Sequence, residues 1–385
     1  MSDHNLREKL LAEVDNRRNQ CVDIANYIYA HPEVSMQEKE SSAYLAKVLE
    51  NEGFDVTRPY CGLETAFKAT KRNGEGPKIC FMAEYDALPE IGHACGHQWI
   101  ASTSLMAGIV TAMALSEFPG EVTVFGTPGE ETGDGKPVLV EHGAFNGYCA
   151  ALEIHPNYTT RLEPEVHGIG GIDIEFTGKA AHAGEDPWNG VNALDAVIML
   201  FNSINAMRQQ LKDGSRVHAI ITNGGEMVNT VPAFASVRLE YRSSDQDYLY
   251  EIQRKVLDCA EGAAKQTGCA MHWEHFEPTC QAMKTNKKLK NIFAKNMEKY
   301  PHFKDGDITY AGTATDVGNV SQIIPVIHPM MKMVTVEAGA HTIKFRDALL
   351  KSYAQDRAVE IIKILVETGL DILSDPEMAG QLKVE

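Results

Sequence analysis

The sequence predicts an α/β fold, with a mixed and mostly parallel sheet flanked by helices and with a smaller ferredoxin-like α+β lid domain inserted into it. Two observations predict this fold. Apolar, strand-like runs alternate with helical periodicity from about residue 6 to 165, an order typical of parallel sheets. Between about 168 and 275 the order changes to β-α-β-β-α-β, which fits a ferredoxin-like sheet.

The larger domain is expected to be discontinuous, because the first pattern returns after the inserted segment. Helical periodicity through 6–30 and 37–52 precedes its first strands. We therefore assign 1–167 and 276–385 to the larger domain and 168–275 to the lid domain. The predicted strands are KICFMAEYD (78–86), EVTVFGTPGEE (121–131), CAALEIHP (149–156) and MKMVTV (331–336). WIASTSLMAGIVTAMAL (99–115) is the predicted crossover helix, and the last predicted element is an amphipathic helix around 346–370.

The lid domain has strand and helix signals of its own. Apolar residues recur at helical spacing from Leu194 to Ile204 and from Leu249 to Val256. The four predicted strands are IDIEFTG (172–178), VHAIITNGG (217–225), FASVRLEYR (234–242) and AMHWEHF (270–276).

Composition and charge exclude several classes of protein. The formal net charge is −17 and the pI is near 5.3, which argues against a nucleic-acid partner because phosphate binding requires clustered Lys and Arg. The stretch MSDHNLREKLLAEVDNRR lacks the apolar segment of a signal peptide, and we identify no uncharged apolar run of about 18 residues that would span a membrane. The eight cysteines lack regular spacing and are expected to be reduced. A cytoplasmic protein without membrane contact is expected.

Side chains of the types that bind metals follow the predicted strands of the larger domain, where each strand ends. The carboxyl ends of parallel strands meet at one edge of a sheet, so these side chains are expected to converge. Imidazole, thiolate and carboxylate together are typical of a site for divalent transition metals. The residues, in chain order, are Asp86, His93, Cys95, His97, Glu130, Glu131, His155 and His341.

Each of these residues also has a structural interpretation. A single histidine at a strand end is more often structural than ligating, and adjacent glutamates in a loop are commonly a solvated turn. His93 and His97 are four residues apart, as in helical zinc motifs, but Gly92 and Gly96 favour a loop. The segment GEETGDGK (129–136) resembles a phosphate loop only in its last two residues, so we reject nucleotide binding. The metal site is favoured by the joint occurrence of the residues, not by any one of them.

Separate motifs agree along about residues 80–345. They are EYDALP, GHACGH, GTPGEE, the IHP at His155, AHAGEDPWNGVNALDA, the Asn-x-x-Pro that begins at Asn229, and the AHT at His341. Together they resemble the aminoacylase and carboxypeptidase family of di-metal amidohydrolases, which includes auxin-conjugate hydrolases, and most of all its aminobenzoyl-glutamate hydrolase and dipeptidase-like branch. The resemblance implies a zinc-exopeptidase-like fold. It also implies hydrolysis of the amide bond of a small N-acyl amino acid, dipeptide or aroyl-glutamate that has a free carboxylate.

The same resemblance implies a role for each matching residue. Glu130 would be the general base and proton shuttle for a water bridged by two metals, and Asp86 would orient a ligand histidine. Two ions roughly 3.5–4 Å apart can lower the pKa of a bridging water toward about 7, and a nearby carboxylate can then take and return the proton. The implied ligands of the two divalent ions are Cys95, His97, Glu131, His155 and His341.

The resemblance further implies a homodimer formed through the lid domain. In the family a histidine and an asparagine from the partner's lid help to bind the oxyanion, and His182 and Asn229 match those positions. Arg242 matches a position that can pair with a substrate carboxylate, for which a guanidinium is suited, although a surface ion pair is the alternative interpretation. Candidates for the pocket walls are Trp188, Tyr310 and His328.

Two residues depart from the family pattern. Gln98 stands where the family usually has an aspartate after the second histidine of the loop, and Glu84 stands where an aspartate commonly precedes Asp86 by two residues. Such changes can alter metal preference, so zinc is the expected ion while manganese and nickel stay open.

Two other functions stay open at this point. Cys95 could be the nucleophile of a thiol hydrolase with His93 or His97 as its base, but this leaves both glutamates and His341 unexplained. Alternatively, the protein could bind a metal or ligand without turnover, since a fold does not guarantee chemistry.

Overall fold

The computed structural model describes residues 3–306 and 313–384, so the pocket candidate Tyr310 lies outside the described residues. The helices are α1 (Asp3–Asn16), α2 (Arg18–Ala30), α3 (Lys39–Asn51), α4 (His97–Ala112), α5 (Gly135–Glu141), α6 (Ala193–Met207), α7 (Gln246–Thr267), α8 (Lys287–Met297), α9 (Val317–Ser321), α10 (Ile343–Ala348), α11 (Ser352–Ser374) and α12 (Pro376–Gly380). The strands are β1 (Asp55–Thr57), β2 (Phe67–Asn73), β3 (Lys78–Ala83), β4 (Gly120–Gly126), β5 (Ala150–Leu152), β6 (His155–Asn157), β7 (Gly168–Thr177), β8 (Arg216–Asn223), β9 (Phe234–Ser243), β10 (Ala270–His275), β11 (Val326–Ile327) and β12 (Met330–Lys332).

The described chain divides into two compact units. The first comprises 3–164, 284–306 and 316–384, and the second comprises 165–283 and 313–315. The predicted lid range lies inside the second unit. That unit extends further along the chain because backbone hydrogen bonds attach its flanking segments: Ile169 N donates to Cys280 O over 2.8 Å, and His167 N donates to Thr313 O over 2.8 Å.

A mixed sheet lies at the centre of the first unit. Within the described residues its six strands have the order β1-β2-β4-β3-β5-β11. Strands β4, β3, β5 and β11 run parallel to one another, whereas β1 and β2 are antiparallel to their neighbours. The mixed, mostly parallel sheet with flanking helices is confirmed. The sequence prediction omits β1 and β2, because the first has three residues and the second ends in the polar residues KRN.

The predicted strand over 331–336 is wrong in its extent. Only Met330–Lys332 is a strand, and it pairs in parallel with His155–Asn157 in a separate two-stranded sheet. The fourth parallel strand of the main sheet is Val326–Ile327. The apolar pattern beyond Lys332 reflects packing, because Met333 and Val334 are buried in the core of the first unit without pairing as a strand.

Helix α4 runs through the core of the first unit, and all its residues His97–Ala112 are buried. The expectation that the chain has no uncharged apolar run of about 18 residues is wrong for this stretch. The segment His97–Ser116 is long and apolar enough to cross a membrane by length and composition alone. However, 89% of its apolar window is buried inside the protein, which is typical of the core helix of a folded domain.

The second unit is an antiparallel sheet with two helices on one face. Its strands have the order β10-β7-β9-β8, and with α6 and α7 they follow the predicted β-α-β-β-α-β order. Alternate residues of β9, from Ala235 to Tyr241, are buried in the core shared with α6 and α7. The residues between them face away from these helices. The ferredoxin-like lid is confirmed.

Candidate metal centre

The parallel strands of the first unit end at polar side chains. Glu84 follows β3, Glu153 follows β5 and His328 follows β11, each as the next residue. The segments that continue from β3, β4 and β5 bring the predicted residues to this edge of the sheet. Three groups have ligand atoms within 4.8 Å of one another: Cys95 with His97 and His155, Cys95 with Glu131 and His341, and Glu84 with His97 and Glu130.

Gly96 sets the direction of the chain between Cys95 and His97. Its φ of 97° lies in the left-handed region, which glycine adopts readily. A Cβ at this position would lie 3.0 Å from Pro156 Cγ and from Leu349 Cδ1. Gly96 also precedes α4, so Cys95 belongs to the loop and His97 is the first helical residue. The loop expected before His97 is confirmed.

Asp86 orients the ring of His97. The His97 Nδ1 lies 2.9 Å from Asp86 Oδ1, and both side chains are fully buried. The other carboxylate oxygen of Asp86 accepts hydrogen bonds from Ser35 Oγ and from the backbone N–H of Glu131. With Nδ1 directed at the carboxylate, His97 Nε2 faces the site, where a bound metal ion would take the place of its proton, an arrangement common for metal-binding histidines.

Two further pairs of ligand-type atoms meet at this edge. Cys95 Sγ lies 3.3 Å from His155 Nε2, whose Nδ1 lies 2.8 Å from Pro156 O. His341 Nε2 lies 3.3 Å from Glu131 Oε2, and the backbone N–H of His341 donates to Ala94 O, which fixes the later loop against the earlier one. Cys95 therefore stands between two donor groups, one with His155 and one with Glu131 and His341.

The donor set fits divalent transition metal ions. Sulfur, imidazole nitrogen and carboxylate oxygen are the ligands such ions prefer, and two groups that share one residue suit a pair of ions. His97 Nε2 and Glu131 Oε1 are buried without a hydrogen-bond partner among the described residues. Since buried polar atoms are normally paired, these two facing atoms are suited to share a cation.

Glu130 has surroundings different from those of Glu131. Its Oε2 lies 3.6 Å from His97 Nε2, and its side chain is 10% exposed. Burial, together with the negative charge of Glu84, raises the pKa of Glu130 well above its usual value. For Glu131 burial acts in the same direction, but the hydrogen bond with His341 and the charge of His97 outweigh it and lower the pKa. The first carboxyl is thus suited to hold a proton and the second to remain an anion.

The structure places the other candidates of the first unit as follows. His93 is buried, belongs to none of the three ligand groups and has a pKa lowered to about 4 by burial. His328 is also buried, with its ring 5.8 Å from that of His155 and its pKa lowered to about 3 by burial.

Glu84 joins a ligand group, although in the sequence it stands out only as a departure from the family pattern. Its position directly after β3 is the signal that points to it.

In the second unit, His182 and Asn229 lie on neighbouring segments. The backbone N–H of Ala183 donates to Asn229 O over 2.9 Å, and both His182 and Asn229 are exposed. Trp188 is 77% exposed in the same unit. The roles proposed for these residues require solvent access, which each of them has.

Arg242 is on the face of the lid sheet that the helices leave open. It lies directly opposite Arg216 across β8 and β9, and its Nη2 lies 3.1 Å from Glu240 Oε2. These residues line a concave surface with His167, His218 and Arg238. Like charges directly opposite each other in a sheet are unfavourable unless an anion lies between them.

Comparison with known proteins identifies the family to which the chain belongs. A family model described as a peptidase dimerisation domain matches residues 165–268. The Xaa-Arg dipeptidase of Mus musculus is 32% identical over 396 residues, covering 99% of this chain and 92% of its own length. The chain belongs to the M20 peptidase family. Within the M20 family, a p-aminobenzoyl-glutamate hydrolase component from Escherichia coli is 31% identical over 325 residues, covering 77% of this chain and 66% of its own.

Solved structures show the M20 fold. The Bacillus subtilis YXEP protein, described as a dinuclear metal-binding peptidase of the M20 family, has a TM-score of 0.72 at 17% identity and covers 94% of this chain and 99% of its own. An aminobenzoyl-glutamate utilization protein of Klebsiella pneumoniae has a TM-score of 0.70 at 16% identity, covering 96% and 98%. The predicted family and enzyme class, a metal-dependent amidohydrolase or peptidase, are therefore confirmed.

Proposed function

We propose that this M20 peptidase hydrolyses the amide bond of small dipeptides that have a free carboxylate, with N-acyl amino acids and aroyl-glutamates as further members of the substrate class. The observation that supports the reaction most directly is the convergence of the ligand-type atoms of Cys95, His97, Glu131, His155 and His341, of which His97 Nε2 and Glu131 Oε1 are buried and unpaired among the described residues. Glu130 lies beside them and is not needed as a ligand. Dipeptides come first because the similarity to Xaa-Arg dipeptidase extends over nearly the whole chain.

Cys95, His97, Glu131, His155 and His341 would hold two divalent ions, and zinc fits their nitrogen, sulfur and oxygen atoms. When bound, such ions acidify a water and polarise the carbonyl of the substrate. Glu130 would accept the proton at its carboxylate and deliver it to the nitrogen of the departing amino acid. The raised pKa of Glu130, caused by burial, suits a group that must both take and return a proton.

Arg242 is our candidate for the residue that recognises the substrate carboxylate. A guanidinium can form two parallel hydrogen bonds to a carboxylate, and Arg216 directly across the sheet adds a second positive charge. A substrate anion here would relieve the repulsion between the two arginines. We propose that His182 and Asn229, contributed by the partner's lid, contact the oxygen on which negative charge develops during hydrolysis.

A homodimer formed through the lid unit is part of the proposal. Strand β8 lies at the edge of the lid sheet, so its outer backbone groups are available for pairing with another strand. Exposed apolar side chains lie on this strand and on the loop and strand that follow it along the chain, and exposed apolar residues of this kind are typical of a protein interface. They are Ile220, Ile221, Met227, Val228 and Phe234.

We also propose that the enzyme acts in the cytoplasm. All eight cysteines belong to the described residues and none forms a disulfide there, which agrees with a reducing compartment.

The first test measures which amides the purified protein cleaves and whether cleavage requires metal. Mixed dipeptides, N-acetyl and N-benzoyl amino acids and aminobenzoyl-glutamate are incubated with the protein before and after treatment with a chelator, and released amines are quantified by mass spectrometry. We expect cleavage of a subset, loss with chelator and recovery with zinc, manganese or nickel. Cleavage that survives metal removal and stops on alkylation of Cys95 would establish the thiol mechanism instead.

A further inference from the structure

Glu84 has no part in the function proposed above, although it lies at the metal centre. Its side chain is fully buried, and Glu84 Oε2 lies 3.6 Å from His97 Nε2. Over residues 3–306 and 313–384, neither of these two atoms has a hydrogen-bond partner. Two buried ligand-type atoms thus face each other at a separation too long for a hydrogen bond.

Three carboxylates surround His97 Nε2 at similar distances. The nearest oxygens of Glu84 and Glu130 lie at 3.6 Å, and that of Glu131 lies at 3.8 Å. Two ligands of one tetrahedral ion, with bonds of about 2.1 Å, stand about 3.4 Å apart. These separations therefore fit donors around a shared cation better than donors bonded directly to one another.

The other oxygen of Glu84 is bound by Lys136. Lys136 Nζ lies 2.5 Å from Glu84 Oε1 and 2.6 Å from Asp316 Oδ1, and the three side chains are fully buried. The backbone N–H of Lys136 also donates to Asp316 Oδ2 over 3.0 Å. Lys136 is therefore fixed at both its side chain and its backbone, and it leaves only Oε2 of Glu84 to face the metal centre.

Lys136 also keeps Glu84 negatively charged. Burial opposes the charge on Glu84, but the ammonium group of Lys136, 2.5 Å from Glu84 Oε1, favours the ionised carboxylate. Gln98, which follows His97 in the chain, is buried and uncharged. Of the two departures from the family pattern, Glu84 is thus the one that can supply a charge to an ion.

We propose that Glu84 is a further ligand of the metal centre and that Lys136, fixed by Asp316, is its positioning residue. The proposal rests on the metal centre of the proposed function and adds one carboxylate to it. The ion next to His97 would have a more negative and more crowded set of oxygen donors than the five implied ligands provide. Additional hard oxygen donors favour harder ions such as manganese.

The alternative partner for Glu84 is Glu153, which follows the neighbouring strand in the same way. Burial and the charge of Glu84 raise the pKa of Glu153 well above its usual value, so Glu153 is expected to be protonated. If Glu84 Oε2 served only to accept that proton, its replacement would change stability and leave metal binding as it was.

The test titrates metal-free protein with cobalt(II) against a competing chelator and records the visible absorption spectrum at each step. Wild type and Glu84→Gln, which keeps the shape but removes the charge, are compared. We expect at least tenfold weaker binding of one of two cobalt equivalents in Glu84→Gln, with an altered band for that equivalent. Thermal unfolding of the metal-free proteins shows whether each variant is folded.

Lys136→Gln and the double variant Glu84→Gln with Lys136→Gln complete a cycle. If Lys136 acts through Glu84, Lys136→Gln weakens the same cobalt equivalent, and it has no further effect in the Glu84→Gln background. Independent effects that add together would overturn the positioning role of Lys136. The double variant, which removes both charges of the Glu84–Lys136 pair, is the comparison to use if Lys136→Gln alone proves unstable.

Glu153→Gln is the matched control, because Glu153 has the same residue type, burial and place after a strand. It is expected to retain the affinity and spectrum of the wild type. A folded Glu84→Gln protein with wild-type cobalt affinity and spectrum would overturn the proposal. Wild-type protein that binds no cobalt would instead contradict the proposed metal centre itself, so the two failures are distinguishable.

Discussion

Adjacent residues at the candidate metal centre have different neighbours, and this difference is the basis of the roles that we propose for them. Glu131 is paired with His341 and its backbone N–H is bound by Asp86, whereas Glu130 lies beside Glu84, whose negative charge favours the protonated form of its neighbour. Residue type alone does not separate the proposed ligand from the proposed base in GTPGEE, whereas the neighbouring charges differ.

Glu130→Gln tests this division of roles. The amide keeps the size of the side chain but cannot carry a proton, so we expect turnover to fall by about 10² to 10⁴-fold while two metal ions remain bound. Turnover and metal content by mass spectrometry are measured on the same preparation. Glu141→Gln, an exposed residue at the end of α5, is the control and should keep both. Undiminished turnover in Glu130→Gln would remove Glu130 from the role of base.

At the scale of elements, the turn that holds both glutamates depends on the start of α3. The 3₁₀ turn Glu130–Thr132 follows Gly129, whose φ of 71° lies in the left-handed region. Glu38, the residue before α3, is fully buried and accepts a hydrogen bond from the backbone N–H of Gly129 over 2.8 Å. A helix start thus fixes the catalytic turn although about ninety residues separate them.

Titration of the same residue, Glu38, is expected to make stability depend on pH. Burial raises the pKa of Glu38 to about 7, with the charge of Asp86 acting in the same direction. The folded state therefore holds this proton more tightly than the unfolded state, and the stabilising contribution is complete below the ordinary pKa of about 4.5 and is lost as pH rises through about 7. We expect the free energy of unfolding of wild type, relative to Glu38→Gln, to fall by up to about 3 kcal/mol across this interval.

Urea unfolding of both proteins between pH 4.5 and 8 measures this difference. Glu40→Gln, exposed on α3, is the control and should follow the wild type. Parallel curves for wild type and Glu38→Gln would show that Glu38 does not titrate in this interval.

At the scale of the whole molecule, the proposed lid interface would decide whether the site is complete. Ile221→Lys with Val228→Asp places charges on the edge strand and on the fully exposed loop beyond it. We expect a halved mass by light scattering and at least a tenfold loss of turnover, because His182 and Asn229 would no longer reach a partner's site. Leu350→Lys alters an exposed apolar residue of the first unit and should leave the mass unchanged. A monomeric wild type would contradict the proposed dimer, and a fully active monomeric variant would contradict the role of the partner's residues.

Much of this arrangement can be predicted from the sequence, and the limits have physical causes. Parallel strands place their carboxyl ends at one edge, so residues up to His155 can be expected to meet once the strands are identified. The sequence also predicts that His341 belongs to the site, although the strand before it is shorter than expected. The apolar residues that suggest a longer strand are buried in the core instead. Strands of two or three residues are too short to show a period.

The buried contacts of Lys136 are beyond such reasoning. Glu84 and Asp316 lie 52 and 180 residues from Lys136 along the chain, and no local pattern relates them. In the sequence, Lys136 resembles the last residue of a phosphate loop, but most of the other positions of that motif do not match. In the structure it is a fully buried cation with two carboxylates.

Burial of Cys95 has a consequence for the protein when it lacks metal. Burial, together with the charge of Glu131, raises the pKa of the Cys95 thiol well above its usual value. Oxidants attack the thiolate rather than the thiol, so a metal-free enzyme keeps this sulfur in its resistant form. An ion bound by Cys95, as we propose, would have to displace that proton. Exposure to peroxide before metal supply should therefore spare the enzyme's capacity to be activated later.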